Sequence, residues 1–399
     1  MSVDRVFRRE SGRAVATLVR RFGDLELAEE SVQDAFVQAM ERWPVDGIPD
    51  NPGAWVTTVA GNRALDVLRR SRTGAEKIAQ LEAEPMVEEE FEDNRLRLVI
   101  MCCHPALAVE AQVALTLNLV AGLSTETIAR AFLVPQPTMA KRLTRAKRKI
   151  RDARIPFNVP TEERELQDRV SAAQAVVYLV FNEGYAATDG DVPVRAELCD
   201  EAIWLARLLR ILRPDDPDQA ALLALLLLQD SRRETRVDEH GELVLLADQD
   251  RSRWDQRKIN EGLALLSEVI ESRQVGVYAL QATIAAKHAT APSEAETDWL
   301  AIAETYARLG RMVGNPVLEV NRAIAVSMAW GPEEGLAVLD SIDDDRLAEY
   351  LPLHAARADL LARSGRTAEA AVAYRSAIAL AENAAQRAQL ERALATLGE

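Results

Sequence analysis

Apolar side chains recur along this chain with the 3.6-residue period of an α-helix, and that recurrence constrains the fold before any other feature does. Over residues 25–43, Val32, Phe36, Ala39 and Trp43 fall at i, i+4, i+7 and i+11, which lines them along one helix face. The opposite face holds Glu29, Glu30, Gln33 and Asp34. After a hinge expected at Pro44–Pro52, a second apolar stripe runs through Val56, Val59, Ala60, Ala64 and Val67. Its polar side carries Asn62, Asp66, Arg69 and Arg70. Ala, Leu, Glu and Arg dominate, and only 5% of the residues are aromatic. These residue types lose little rotamer freedom in a helix, so the expected fold class is all-α.

Charge divides the chain. The net charge is −15, yet residues 95–157 hold 11 Lys+Arg against 3 Asp+Glu. Residues 158–399 hold 25 against 41. A basic island in an acidic chain is the electrostatic footprint of nucleic-acid contact, because clustered cations neutralise phosphates. Residues 1–70 are close to neutral. Residues 71–94 carry 8 acidic and 2 basic residues, with too little apolar surface to offset ordering, and are expected to be a flexible acidic linker. At 399 residues the chain has room for two or three domains. The expected division is 1–70, a linker at 71–94, a basic module at 95–157, and a long acidic helical region at 161–399.

Within the basic module, Ser124 is a plausible N-cap, and Glu126 sits where the helix dipole favours an anion. Ile128, Ala129 and Phe132 give this helix a buried side. Leu133, Val134 and Pro135 break it, and Pro137 stands near the first position of the next helix, where a missing N–H costs nothing. There Met139, Leu143, Ala146 and Ile150 are expected to pack inward, leaving Thr138, Lys141, Arg142, Arg145 and Arg148 outward. Two short helices, a tight turn and a polar second helix form the helix-turn-helix pattern. An αα-hairpin with a basic surface is the plainer reading, but residues 141–154 hold eight Lys/Arg against Asp152 alone.

Other chemistry finds little support. Met101-Cys-Cys-His104 has adjacent cysteines and one histidine, without the spacing of a four-ligand zinc site; apolar packing is expected and no metal. Three cysteines make no disulfide framework. The start of the chain has no charged-then-apolar signal pattern, and the longest apolar run, residues 220–228, is far short of the ~20 residues that span a bilayer. A cytoplasmic protein with no membrane contact is expected. Phe181-Asn-Glu-Gly-Tyr185 offers one carboxylate and no matching base or nucleophile, which favours packing and capping over catalysis. Asp248, Asp250, Arg251 and Arg253 read as an interhelical salt-bridge cluster rather than a ligand site. No enzyme activity and no cofactor are expected.

Ala28-Glu-Glu-Ser-Val-Gln-Asp-Ala-Phe36, followed by Trp55-Val-Thr-Thr-Val-Ala-Gly-Asn-Arg-Ala-Leu-Asp-Val-Leu-Arg-Arg70, resembles region 2 of bacterial extracytoplasmic-function (ECF) sigma factors, and the helix-turn-helix at 123–151 resembles their region 4. Phe181–Tyr185, Asp248-Gln-Asp-Arg-Ser-Arg-Trp254, residues 281–288, Thr297-Asp-Trp299 and Asn321-Arg-Ala-Ile-Ala325 resemble the C-terminal extension of the ECF42 subgroup, which is described as tetratricopeptide-like. The resemblance implies a sigma factor whose partners are core RNA polymerase and promoter DNA. It places Glu29, Glu30, Gln33 and Asp34 at the polymerase clamp helices. It places Asn62, Arg63, Asp66, Arg69 and Arg70, with the loop 44–53, at the −10 element. Thr138, Lys141, Arg142, Arg145 and Arg148 fall at the −35 element. The sigma factor itself performs no group transfer; polymerase does the chemistry.

In the C-terminal region, residues 354–383 fit a tetratricopeptide helix pair, with Ala358, Ala370, Tyr374 and Ala377 at close-packing positions. Gly331-Pro-Glu-Glu and Gly365-Arg-Thr-Ala lie 34 residues apart, the period of that repeat. Stacked helix pairs make a concave surface that could dock a regulatory protein or fold back on the sigma core and so modulate it. The competing readings are a helix-turn-helix regulator or a tetratricopeptide scaffold, either acting without core polymerase.

Overall fold

The computed structural model describes the chain except residues 1–2, 71–90, 133, 186–193, 240–243, 345–346, 382–383 and 399. The linker expected at 71–94 lies largely outside the described residues. Among the described residues the regular elements are helices, as the periodicity requires. The chain divides into two compact units, one of residues 1–190 and 195–213, the other of 191–194 and 214–399.

The first unit begins with three helices, α1 (Val3–Phe22), α2 (Leu25–Asp46) and α3 (Pro52–Arg70). Asp24 caps α2 by accepting the Leu27 N–H at 3.0 Å, satisfying a backbone donor the helix leaves open. The expected inward residues of α2 are buried. Trp43 and Trp55 meet edge to face at 5.3 Å, closing α2 on α3. Two expectations need correction. Pro44 does not open the hinge: it lies in the last turn of α2, and the chain leaves the helix only at Gly47. Val67 is exposed and Val59 only half-buried, while Thr57 and Gly61 join Val56, Ala60 and Ala64 inside.

Next come α4 (Phe91–Cys102) and α5 (Val109–Leu115), with α5 continuing as a π-helical turn, Thr116–Val120. Then come α6 (Thr125–Ala131) and α7 (Gln136–Asp152). Ser124 caps α6 by accepting the Thr127 N–H at 3.1 Å, and Met139, Leu143, Ala146 and Ile150 are the buried residues of α7. Cys102, Cys103 and Cys199 are buried thiols. Burial pushes the Cys103 thiol up to about 12, so it stays protonated and packs as an apolar residue.

The first unit closes with α8 (Glu163–Tyr185) and α9 (Ala196–Leu212). Composition groups these helices with the acidic extension, yet they pack on α4 and α5. Charge reports what a helix shows to water, not which core its apolar face joins. The Phe181–Tyr185 motif builds this hairpin. Glu183 accepts from Arg195 at 2.6 Å, and the rings of Phe181 and Tyr185 stack at 5.4 Å. Gly184 admits α9 at close range: a Cβ there would lie 2.8 Å from the Cys199 backbone nitrogen.

Arg95 of α4 joins three parts of this unit. It is 5% exposed, donates to the Val120 carbonyl at 3.2 Å and lies 3.4 Å over the Trp204 ring of α9. Glu201, also on α9, stands 3.8 Å away. The Val120 carbonyl in turn faces Gly12 of α1, where a Cβ would approach it to 2.3 Å. A desolvated cation–π contact contributes about 2 kcal/mol. Glu201 is too far from the guanidinium for the pair to offset its burial, and its carboxyl is pushed up to about 7, with Arg95 pulling down and Asp200 pushing up.

The second unit stacks α10 (Pro217–Asp230), α11 (Gln256–Ser272), α12 (Val277–Thr290), α13 (Trp299–Val313), α14 (Val317–Trp330), α15 (Pro332–Asp340), α16 (Leu351–Arg363), α17 (Thr367–Leu380) and α18 (Ala384–Ala395), each against its neighbours in sequence. Helix α15 follows Gly331 directly, and α17 begins two residues after Gly365. Ala358, Ala370, Tyr374 and Ala377 lie in one buried cluster. Asp230 is fully buried and satisfied by Arg233 at 2.6 Å and Lys258 at 2.6 Å. The expected salt-bridge cluster at 248–253 takes another form. Asp250 accepts the Ser252 N–H, and Arg251 donates to the His288 and Ala291 carbonyls at 2.7 and 2.8 Å, capping the end of α12.

Two outcomes follow. Gly184→Ala forces the α8–α9 crossing apart and should cost about 1–3 kcal/mol, read as a lower urea midpoint; an unchanged midpoint would contradict the close approach. Because the folded value of Glu201 lies above the ordinary 4.5, its contribution is present in acid and lost as pH rises through about 7. Between pH 5 and 8 the decline in urea midpoint should be shallower for Glu201→Gln than for the unaltered protein.

Candidate nucleic-acid interface

Helix α7 carries the charge. At 100° per residue, Thr138, Lys141, Arg142, Arg145 and Lys149 fall on one side of its buried stripe, and Lys147 and Arg151 on the other. The first set lines an open groove of about 410 Å³, completed by Ala106, Leu107, Ala108 and Ala111 at the start of α5. Thr138, Lys141 and Arg145 are exposed and Arg142 is half-buried. Arg148 lies outside the groove lining, exposed, within 3.6 Å of Asp152. Lys149 was not among the residues expected from sequence, although its position four beyond Arg145 puts it on the same face. Four cations on one exposed helix face, beside a wall of small residues, can meet a phosphate backbone and base edges together.

The other flank faces α2. Lys147 Nζ lies 2.7 Å from Glu29 Oε1 and 2.7 Å from Oε2, each side chain only about one-sixth exposed. Arg151 pairs with Glu26. Of the four residues expected on the acidic face, Glu29 is therefore engaged with α7. Asp34 accepts from Arg63 of α3 at 2.6 Å. Glu30 and Gln33 stay exposed. They continue into Val37 and Met40, 48% and 54% exposed, so that Glu30, Gln33, Val37 and Met40 form one outward stripe at i, i+3, i+7 and i+10. Sequence reasoning missed the two apolar members; their signal was an apolar side chain outside the buried register of the same helix.

On α3, Asn62, Asp66, Arg69 and Arg70 are exposed and Arg63 is half-buried. Arg69 reaches Asp66 at 3.4 Å. The five residues thus share one helix but not one role, since Arg63 braces α2. Among the described residues no cluster of His, Cys, Asp or Glu is placed to hold a metal, and no helix is long and apolar enough to cross a membrane.

Comparison with known proteins decides the family. Residues 6–73 match the model of sigma-70 region 2 and residues 97–150 that of sigma-70 region 4. An uncharacterized protein of Rhizobium meliloti (strain 1021), R00370, is 43% identical over 392 residues, covering 96% of this chain and 92% of that protein. The chain belongs to one family with R00370 and carries sigma-70 regions 2 and 4. Proteins named "Probable ECF RNA polymerase sigma factor SigI" from two Mycobacterium tuberculosis strains, CDC 1551 / Oshkosh and H37Rv, are 27% identical over 195 residues. Those alignments cover 46% of this chain and 62% of each relative. Residues 169–270 match a family of unknown function, DUF6596, which begins inside α8 and so spans both compact units. No solved structure matches.

The helix-turn-helix of region 4 is thus the α6–α7 pair. Replacing Arg142 and Arg145 together with Ala should weaken duplex binding and reduce the log–log salt slope by up to about 2, one phosphate each. An unchanged slope would take the groove out of the interface.

Proposed function

We propose that the protein binds core RNA polymerase and directs promoter-specific initiation, with the C-terminal extension modulating that activity. The observation that carries this reading is the presence of both sigma regions in one chain, each exposing the polar helix face its role needs. Core polymerase docks on α2 through Glu30, Gln33, Val37 and Met40, with Glu29 and Asp34 available once their internal partners release them. Asn62, Arg63, Asp66, Arg69 and Arg70 of α3, with the loop before it, handle the −10 element. An opened strand needs stacking and polar contacts to hold it apart, and Trp55 and Asn62 are suited to that. Thr138, Lys141, Arg142, Arg145 and Arg148, joined by Lys149, contact the −35 element, with α7 in the major groove.

The extension fits the tetratricopeptide-like ECF42 arrangement. Residues 1–70, 71–94, 95–157 and 161–399 would be its functional segments, even though α8 and α9 pack with the first unit. The setting is the cytoplasm, where polymerase and promoter meet.

Run-off transcription with purified bacterial core polymerase on a promoter pool tests the reading. The full-length protein should yield specific transcripts that core alone does not. Val37→Glu with Met40→Glu should lower core affinity by tenfold or more, since two charges enter an apolar contact, and leave duplex binding by α7 unchanged. A chain that binds DNA but neither binds core nor initiates would instead be a helix-turn-helix regulator.

A further inference from the structure

The contact between α2 and α7 sets a geometric problem. The two promoter elements are named for positions about 25 base pairs apart, which is about 85 Å of B-form duplex at 3.4 Å per pair. A compact unit of roughly 200 residues has a radius of gyration of about 17 Å. Regions 2 and 4, held together as they are here, cannot occupy both elements at once. The same contact covers Glu29 with Lys147. The structure is therefore a closed state, and what holds it closed is visible in the packing.

Helix α1 packs along α4, and two further contacts among the described residues join region 2 to region 4. One is the pair of ion contacts from α7 to the start of α2, Lys147 to Glu29 and Arg151 to Glu26. The other is the bare backbone seat of Gly12 on the Val120 carbonyl. The π-turn ending at Val120 is pinned from behind by Arg95, and Arg95 is pinned by the Trp204 ring. Trp204 belongs to α9, within the residues matching the family of unknown function. Residues from the extension thus reach the seat of region 2 through a buried guanidinium, alongside the packing of α8 and α9 on α4 and α5.

We propose that the α8–α9 hairpin is a built-in clasp: by stacking Trp204 on Arg95 it fixes the Val120 carbonyl against Gly12 and holds regions 2 and 4 closed, so that displacing the hairpin releases both for polymerase and promoter. This rests on the sigma-factor reading for its consequence but not for its test. The natural trigger is a partner that engages the extension and draws α9 off α4. Clasp strength then sets the fraction of molecules open at rest, since a ligand acts only by its preference for one of two states.

The test is the distance between regions 2 and 4 in the full-length protein, read by energy transfer between dyes on Thr58→Cys of α3 and Thr144→Cys of α7. Both positions are exposed, and the three native cysteines are buried. The parent protein should give one short distance. Trp204→Leu, which keeps apolar bulk but removes the π face, should raise the long-distance population at least fivefold, whereas Trp204→Phe should remain closed. Lys147→Glu should also open the pair, and adding Glu29→Lys should close it again, which keeps the latch testable if a Trp204 variant folds poorly. A Trp204→Leu protein as closed as its parent overturns the clasp, as does a parent already open or a Lys147→Glu protein that stays closed. No polymerase enters this measurement, so a sound clasp with no transcription would indict the sigma-factor reading alone.

Discussion

The packing of the first unit depends on one buried cation. Arg95 has no water to solvate it, so its neighbours must, and they come from distant parts of the chain: a carbonyl at the end of the π-turn and an indole face from α9. A guanidinium is suited to this post because its plane stacks while its edge donates, which an ammonium cannot do. Removing one partner leaves a buried charge under-solvated, so the three segments are held in register together. Region 4 is thereby tied to the α8–α9 hairpin.

Seen this way, α7 is a helix with two charged flanks serving opposed ends. One flank lines the open groove with Lys141, Arg142, Arg145 and Lys149. The other spends Lys147 and Arg151 on carboxylates of α2. Both draw on the same excess of cations, and only the first is suited to DNA. A basic count over the module therefore overstates the nucleic-acid interface, because part of it neutralises region 2. Of the two ion pairs, Arg151–Glu26 is half exposed, a setting in which such contacts are worth little, whereas Lys147–Glu29 is largely buried.

Much of this architecture was legible in the sequence. Helix periodicity identified the buried residues of α2 and α7, and the Ser124 cap and Pro137 start follow from backbone chemistry that needs no tertiary contact. The helix-turn-helix was legible for the same reason. What could not be read was whatever depends on pairing distant segments. The spacing of Val67 points inside, but helices α1 and α2 bury the neighbouring register instead. Proline usually breaks a helix, which points to a hinge at Pro44, yet α2 runs through it to Asp46. Glu29 and Asp34 looked like free surface until Lys147 and Arg63 arrived from elsewhere. Val37 and Met40 were overlooked because an exposed apolar side chain is ordinary until it continues a polar stripe. The membership of α8 and α9 in the first unit was hidden because their acidic surfaces match the rest of the extension.

The most direct measurement of the whole account is amide hydrogen exchange on the full-length protein, free and then bound to core polymerase on promoter DNA. The π-turn at 116–120 and the Gly12 turn of α1 should exchange faster in the complex, as regions 2 and 4 part, while the groove face of α7 becomes protected. Protection of α7 with no change at Gly12 and Val120 would contradict the closed-to-open transition, and protection at neither place would contradict the role in initiation itself.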